Sequence, residues 1–191
     1  MILHGDIQPD LPLLVVALEE EAVHLHVHEL PILVTGVGKV NAAIAVTTIL
    51  AKHRPASVVN LGTAGALRDG VTGTHVISKV IQHDLNDSAI YDMVGIHFGA
   101  PFEFEGGEGT VLATGDRFVS KTEVRERLAL EAHLVDMEGY AVARAARWAG
   151  VPVTLVKEVS DQAGEQAAKS WSETLDECAE SLGAWVHAHL L

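Results

Sequence analysis

An α/β fold is what this sequence predicts: one domain over residues 1–191, with a largely parallel sheet covered by helices on both sides. Three observations carry that prediction. Short runs rich in β-branched residues alternate with helix-length segments along the whole chain. Several of the runs are continuously apolar, as strands buried on both faces are. A chain of 191 residues that is 48% hydrophobic can bury one core but not the cores of two ordinary domains.

The first predicted strand is Leu13–Ala17, and Glu19, Glu20 and Glu21 follow where acids favour the first turn of a helix. His24, His26 and His28 come next at period two, which puts them on one face of an edge strand, and no metal site is expected there. Ile32–Thr35 is a strand leading through Gly36-Val37-Gly38-Lys39-Val40-Asn41 into a helix over Lys39–His53. That turn opens like a dinucleotide fingerprint, but Asn41 replaces the third glycine. It is no Walker loop, since Val40 follows Lys39 where magnesium needs a hydroxyl. A tight turn close to a ligand or strand remains.

Ser57–Leu61 is the third strand, and Gly62-Thr63-Ala64-Gly65-Ala66 reads as a turn at its C-terminal end, where open α/β sheets bind ligands. After the strand His75–Ile81, residues Asp84–Gly109 are rich in Gly, Asp and Phe without a clean period, and are expected to form a long loop or lid. Thr110–Ala113 is a strand, Gly115–Phe118 a turn and Lys121–Leu130 a helix. The helix Glu138–Trp148 stops at Gly150 and Pro152, Val153–Lys157 is the last strand, and Ser172 and Thr174 are candidate caps for a helix ending at Leu190.

Charge excludes whole classes of partner. With 26 acidic against 13 basic residues the net charge is −13, leaving no basic stripe for nucleic acid or a membrane surface. A small-molecule partner is expected. The longest apolar runs fall short of the ~20 residues that span a bilayer. Cys178 is the single cysteine, and the opening residues lack the pattern of a signal peptide, so a cytoplasmic location is expected.

Two acidic motifs stand where the pattern turns from one element to the next, Val135-Asp136-Met137-Glu138-Gly139 and Val159-Ser160-Asp161. Carboxyl groups at two neighbouring strand ends suit cleavage of a glycosidic bond, one holding the sugar and the other protonating the leaving base. Together with Val16–Glu21, Gly36–Ala43, Asn60–Gly65, His83-Asp84 and Thr114–Phe118, these motifs resemble, in order along nearly the whole chain, the nucleoside phosphorylase and nucleosidase superfamily. The likeness is closest to the 5′-methylthioadenosine/S-adenosylhomocysteine nucleosidases.

The resemblance implies a three-layer α/β/α sandwich around a mixed, twisted sheet. It implies that Asp161 protonates N7 of a purine, with Ser160 orienting it, that Glu21 holds the attacking water, and that Glu138 grips the ribose hydroxyls. Phe118 would stack on the base, the backbone of Val119 would read its edge and Met137 would pack on the ribose. Thr63, Ala64 and Gly65 would line the floor, and Leu18, with Ile90, Met93, Val94 and Phe98, the 5′ end. No cofactor is implied, and a homodimer is expected. For the proton transfer, Asp161 must stay protonated near neutral pH while Glu138 stays ionised.

Phosphorylases of this superfamily hold phosphate with arginines near the first strands. Here no arginine precedes Arg54, and the acids at 19–21 would repel phosphate, so water is the expected nucleophile; Arg68 is the residue that could reverse this. Other departures are a compressed stretch between Glu21 and Gly36, Gln82 in place of an aromatic, and Lys157-Glu158 before the last motif. The alternatives are a phosphate-dependent phosphorylase and a non-catalytic nucleoside-binding protein of the same fold.

Overall fold

In the computed structural model, residues 1–26, 29–107 and 109–191 are described. The core strands are β2 (Pro12–Val16), β3 (Ile32–Val34), β4 (Ser57–Ala66), β5 (Thr74–Gln82), β7 (Thr110–Thr114), β8 (Leu134–Asp136) and β9 (Val153–Asp161). Short strands β1 (Ile2–His4) and β6 (Phe102–Glu103) stand at the two edges. The helices are α1 (Glu19–Ala22), α2 (Lys39–Leu50), α3 (Asp87–Val94), α4 (Thr122–Ala129), α5 (Gly139–Ala149) and α6 (Ala167–Leu190).

The strand order is β1-β3-β2-β4-β8-β7-β5-β6, with β9 pairing both β4 and β5. Those double pairings close β4, β8, β7, β5 and β9 into a ring. The sheet is mixed: β4–β8 and β5–β9 are antiparallel, whereas β2–β4, β4–β9 and β7–β8 are parallel. Among the described residues, five of the nine pairings are parallel, as the continuous apolar runs imply, and the four antiparallel ones make the sheet mixed, as the resemblance implies.

Residues of β2 alternate between the two layers. Leu13 and Val15 pack with Ala42, Val46, Val142 and Ala146 of α2 and α5, while Leu14 and Val16 pack with Leu182 and Val186 of α6 and with Leu25. The continuous run Leu13–Val16 is therefore apolar because each face has its own helical cover.

The expected elements shift in several places. Gly62–Ala66 is not a turn but the second half of β4, and β9 runs on through Asp161. Helix α6 begins at Ala167, so Ser172 and Thr174 lie inside it; Thr174 donates to Ser160 O and Ser170 O at 3.0 Å. The segment read as a lid holds α3 and β6, and Tyr140 of α5 fastens it by donating to Ala100 O at 3.0 Å. His24 and His26 lie in the turn after α1 rather than on a strand, and His28 lies outside the described residues.

Candidate active site

A pocket of about 190 Å³ opens at the C-terminal ends of β2, β4, β8 and β9. Eleven of the residues singled out as its candidates line it: Glu21, Glu138 and Asp161, with Leu18, Thr63, Ala64, Gly65, Phe118, Val119, Met137 and Ser160. Parallel β2, β4 and β9 run the same way, so the residues that end them converge on one side of the sheet. Ile90, Met93, Val94 and Phe98 do not line the pocket, although the sequence offered them for the 5′ end; they are partly or largely exposed on and beside α3. Gln82 also lies elsewhere, accepting from Lys39 Nζ at 2.7 Å.

Glu21 is buried, and its carboxylate is fully engaged. Oε2 accepts from the backbone N–H groups of Ala17 and Leu18 at 3.0 and 3.2 Å, and Oε1 from Thr63 N and Oγ1 at 2.9 and 3.2 Å. The Leu18 bond folds the third helical residue back over its own helix start. Gly62 makes room for this, since a Cβ there would lie 3.1 Å from Glu21 Oε1 and 3.3 Å from Lys157 Nζ. Of the three acids at 19–21 only Glu21 faces the pocket; Glu19 contacts His4 and Glu20 is exposed.

Glu138 is the N-terminal cap residue of α5, and its Oε1 accepts from Gly38 N at 2.7 Å. Gly38 presents that N–H from a backbone with φ of +95°, which other residues rarely adopt. Burial, and next the nearby Asp136 carboxylate, push Glu138 up to about 8, against the opposing pull of Lys157. Lys157 is only 1% exposed, with Nζ 3.0 Å from Asp136 Oδ2. Burial alone would lower its pKa, but the carboxylates of Asp136, Glu138 and Glu21 outweigh burial and raise it, so the ammonium stays charged. Asp136 also accepts from Thr114 Oγ1 at 2.5 Å and Gly139 N at 2.7 Å, which suits a paired buried charge.

Asp161, at the end of β9, accepts from Ala163 N at 2.7 Å and from Ser160 Oγ at 2.9 Å. Burial raises its pKa and outweighs those two donors. Both carboxyl groups are thus pushed up, rather than Asp161 alone as the expected division between a protonated and an ionised group requires.

Sequence reasoning missed Trp171 as a lining residue and left Lys157 without a role. Trp171 donates from Nε1 to Thr63 Oγ1 at 3.0 Å, closing the pocket from α6. Lys157 had a signal, a charge inside the apolar run of β9, whereas Trp171 lies in a segment with no distinguishing pattern. Arg68 donates to Ala129 O at 3.0 Å and does not line the pocket; the basic residue that does is Arg117, exposed at the mouth. Three motif segments also meet beside the pocket: Lys39 Nζ lies 2.5 Å from Asp84 Oδ1, and Asp116 accepts from Lys39 N at 2.7 Å.

Residues 20–190 match the family model of the phosphorylase superfamily. A 5′-methylthioadenosine/S-adenosylhomocysteine nucleosidase of Bacillus cereus (strain G9842) is 32% identical over 177 residues, covering 80% of this chain and 76% of that protein. Among solved structures, the same-named nucleosidase of S. pneumoniae with a transition-state inhibitor superposes at a TM-score of 0.82, with 25% identity over 94% of this chain and 97% of that one. A futalosine hydrolase of Helicobacter pylori superposes at 0.83 with 23% identity over 94% and 97% of the chains, a likeness of fold. A match running from inside α1 to the last residue of α6, with relatives above 30% identity across four-fifths of the sequence, makes this protein a member of the phosphorylase superfamily.

Proposed function

We propose that this enzyme is a purine nucleosidase that hydrolyses the N-glycosidic bond of 5′-methylthioadenosine, S-adenosylhomocysteine or a close relative. The observation that carries the reading is one pocket lined by four buried carboxyl groups, Glu21, Asp136, Glu138 and Asp161, of which Asp136 is paired with Lys157 and Asp161 is held toward its protonated form by burial. A protonated carboxyl can give its proton to N7 of the purine, so the C1′–N9 bonding pair leaves with a neutral base. Water adds to C1′ of the resulting oxocarbenium ion and loses a proton to Glu21.

Glu21 already accepts from four donors, which fills the lone pairs of a carboxylate. Of the two 3.2 Å contacts, the Thr63 hydroxyl is the one free to rotate away, and its oxygen keeps the Trp171 N–H as a partner when it does. In this reading the rotation makes room for the water. Glu138 takes the ribose hydroxyls; their donated hydrogen bonds draw its pKa down from about 8, so its proton passes to solvent as the substrate binds, and the carboxylate left behind stabilises the positive charge that grows at C1′. Phe118, 47% exposed, covers the base, Val119 offers its backbone to the base edge, and Met137 packs on the ribose. Thr63, Ala64 and Gly65 form the floor and Leu18 the 5′ end.

Hydrolysis fits better than phosphorolysis because, among the described residues, Arg117 is the one basic side chain lining the pocket. Adenine release from 5′-methylthioadenosine in phosphate-free buffer tests the proposal, with S-adenosylhomocysteine, adenosine, inosine and AMP in parallel. Release without phosphate is expected; activity appearing only on adding phosphate would make the enzyme a phosphorylase, and tight binding without cleavage would make it a binding protein.

The enzyme is proposed to act as a homodimer in the cytoplasm. Its single cysteine, Cys178, is a buried free thiol, which fits a reducing compartment. Among the described residues no helix is long and apolar enough to cross a membrane.

A further inference from the structure

We propose that His4, Glu19 and His26 form a site for a divalent transition-metal ion of the zinc class, separate from the nucleoside pocket. The three residues come from three segments: His4 from edge strand β1, Glu19 from the first position of α1, and His26 from the turn that follows α1. His4 Nε2 lies 3.0 and 3.1 Å from the two carboxylate oxygens of Glu19, and the His26 ring stands edge-on to His4 with centroids 4.9 Å apart. One ligand atom from each residue lies within 4.8 Å of the other two.

Tetrahedral zinc with bonds of about 2.0–2.1 Å sets its ligand atoms roughly 3.3 Å apart. The His4–Glu19 pair already has that spacing, and any wider pair needs about 1.5 Å of closure at most, within reach of side-chain rotation in groups that are partly or fully exposed. Water can take the fourth position. Two imidazoles and a carboxylate suit zinc, whereas calcium and magnesium favour all-oxygen sets. A net charge of −13 also draws cations to the surface.

Of the two described histidines in the run, His26 supplies a ligand and His24 does not, because its Nε2 is turned to Asp176 Oδ1 at 3.1 Å. The remaining two ligands come from β1 and α1, so no sequence spacing advertises the set. An ion held there ties β1 to α1, and with it the helix that carries Glu21 two residues after Glu19.

Titration of the chelator-stripped full chain with zinc against a chromophoric competitor at pH 7.5 tests the site, with calcium and magnesium in parallel. One zinc ion per chain is expected, with a rise in melting temperature and no comparable binding of the other two ions. His4→Ala, Glu19→Gln and His26→Ala should each weaken binding at least tenfold, with circular dichroism confirming that each is folded. His53→Ala, at an exposed histidine beyond the end of α2, should bind as the parent does. Unchanged affinity in the His4 and His26 variants, or zinc held no more tightly than calcium, would overturn the proposal.

Discussion

Asp161 and Glu138 are both pushed up by burial, yet they have different neighbours and so different fates. Asp161 has no charged neighbour among the causes of its shift and is held only by the Ala163 N–H and the Ser160 hydroxyl. Asp161→Asn keeps the shape and removes the proton, so turnover should fall about 10²–10⁴-fold with little change in KM. Steady-state kinetics on 5′-methylthioadenosine would show it, and an unchanged kcat would remove Asp161 from the chemistry. Glu138 makes a different prediction, about stability. Its folded pKa of about 8 exceeds its ordinary value of 4.5, so between those values the folded protein holds a proton that the unfolded chain releases. The stabilising contribution of that proton is complete below pH 4.5 and is lost as pH rises toward 8. Glu138→Gln abolishes this dependence, so the variant should gain stability relative to the parent from pH 5 to pH 8 in urea unfolding. A constant difference across that range would show that Glu138 is ionised throughout.

At the scale of elements, β9 carries both the acid and the buried charge that organises the site. Lys157 pairs with Asp136 of β8 from inside a strand whose neighbours Leu155 and Val156 are wholly buried. Lys157→Met fits the volume but strands the Asp136 carboxylate, and should cost about 3–5 kcal/mol of unfolding free energy. Denaturant titration at pH 7 checks this; a loss below about 1 kcal/mol would mean that water or a shifted Asp136 replaces the lysine. Elements differed in how plainly the sequence announced them. Strands β2, β3 and the first half of β4 were readable because burial on both faces leaves a largely apolar run, whereas Gly62, Thr63 and Gly65 made the second half of β4 read as a turn. Helix α3 was not, although Asn86 caps it by accepting from Ala89 N and Gly95 ends it at φ of +72°: its apolar residues Ile90, Met93 and Val94 fill barely two turns between Gly- and Asp-rich flanks, too short a stretch to stand out as a period. The start of α6 was missed for a related reason, since Gln166 makes no side-chain cap. The pocket was more legible than the fold around it because its residues cluster in short motifs at strand ends. Trp171 and the Lys157–Asp136 pair depend on how distant segments meet, which no local pattern encodes.

At the scale of the molecule, the proposed homodimer must bring together two copies that each carry a charge of −13, so the interface should be where apolar surface outweighs that repulsion. The outer face of α2 and α5 offers such a surface. Val40 and Ile44 of α2 are 66% and 61% exposed and Trp148 of α5 is 84% exposed, beside a groove floored by Ala43, Ala141 and Ala145. Trp148 cannot fill the groove of its own chain while standing that far into solvent, whereas a second copy related by a two-fold axis could cover it and be covered in return. The first turn of α2 reaches the pocket, because Gly38 donates to Glu138 and Lys39 is latched to Asp84 and Asp116. Association over this face would therefore brace the N–H that holds Glu138. Sedimentation should give twice the chain mass for the parent. Trp148→Glu and Ile44→Glu, each placing a new negative charge on both sides of the axis, should give the single-chain mass with an intact circular dichroism spectrum. Because the brace on Gly38 is lost with the partner, those monomers should also lose kcat at unchanged fold. A parent that sediments as a monomer, or variants that remain dimeric, would move the interface elsewhere or remove it.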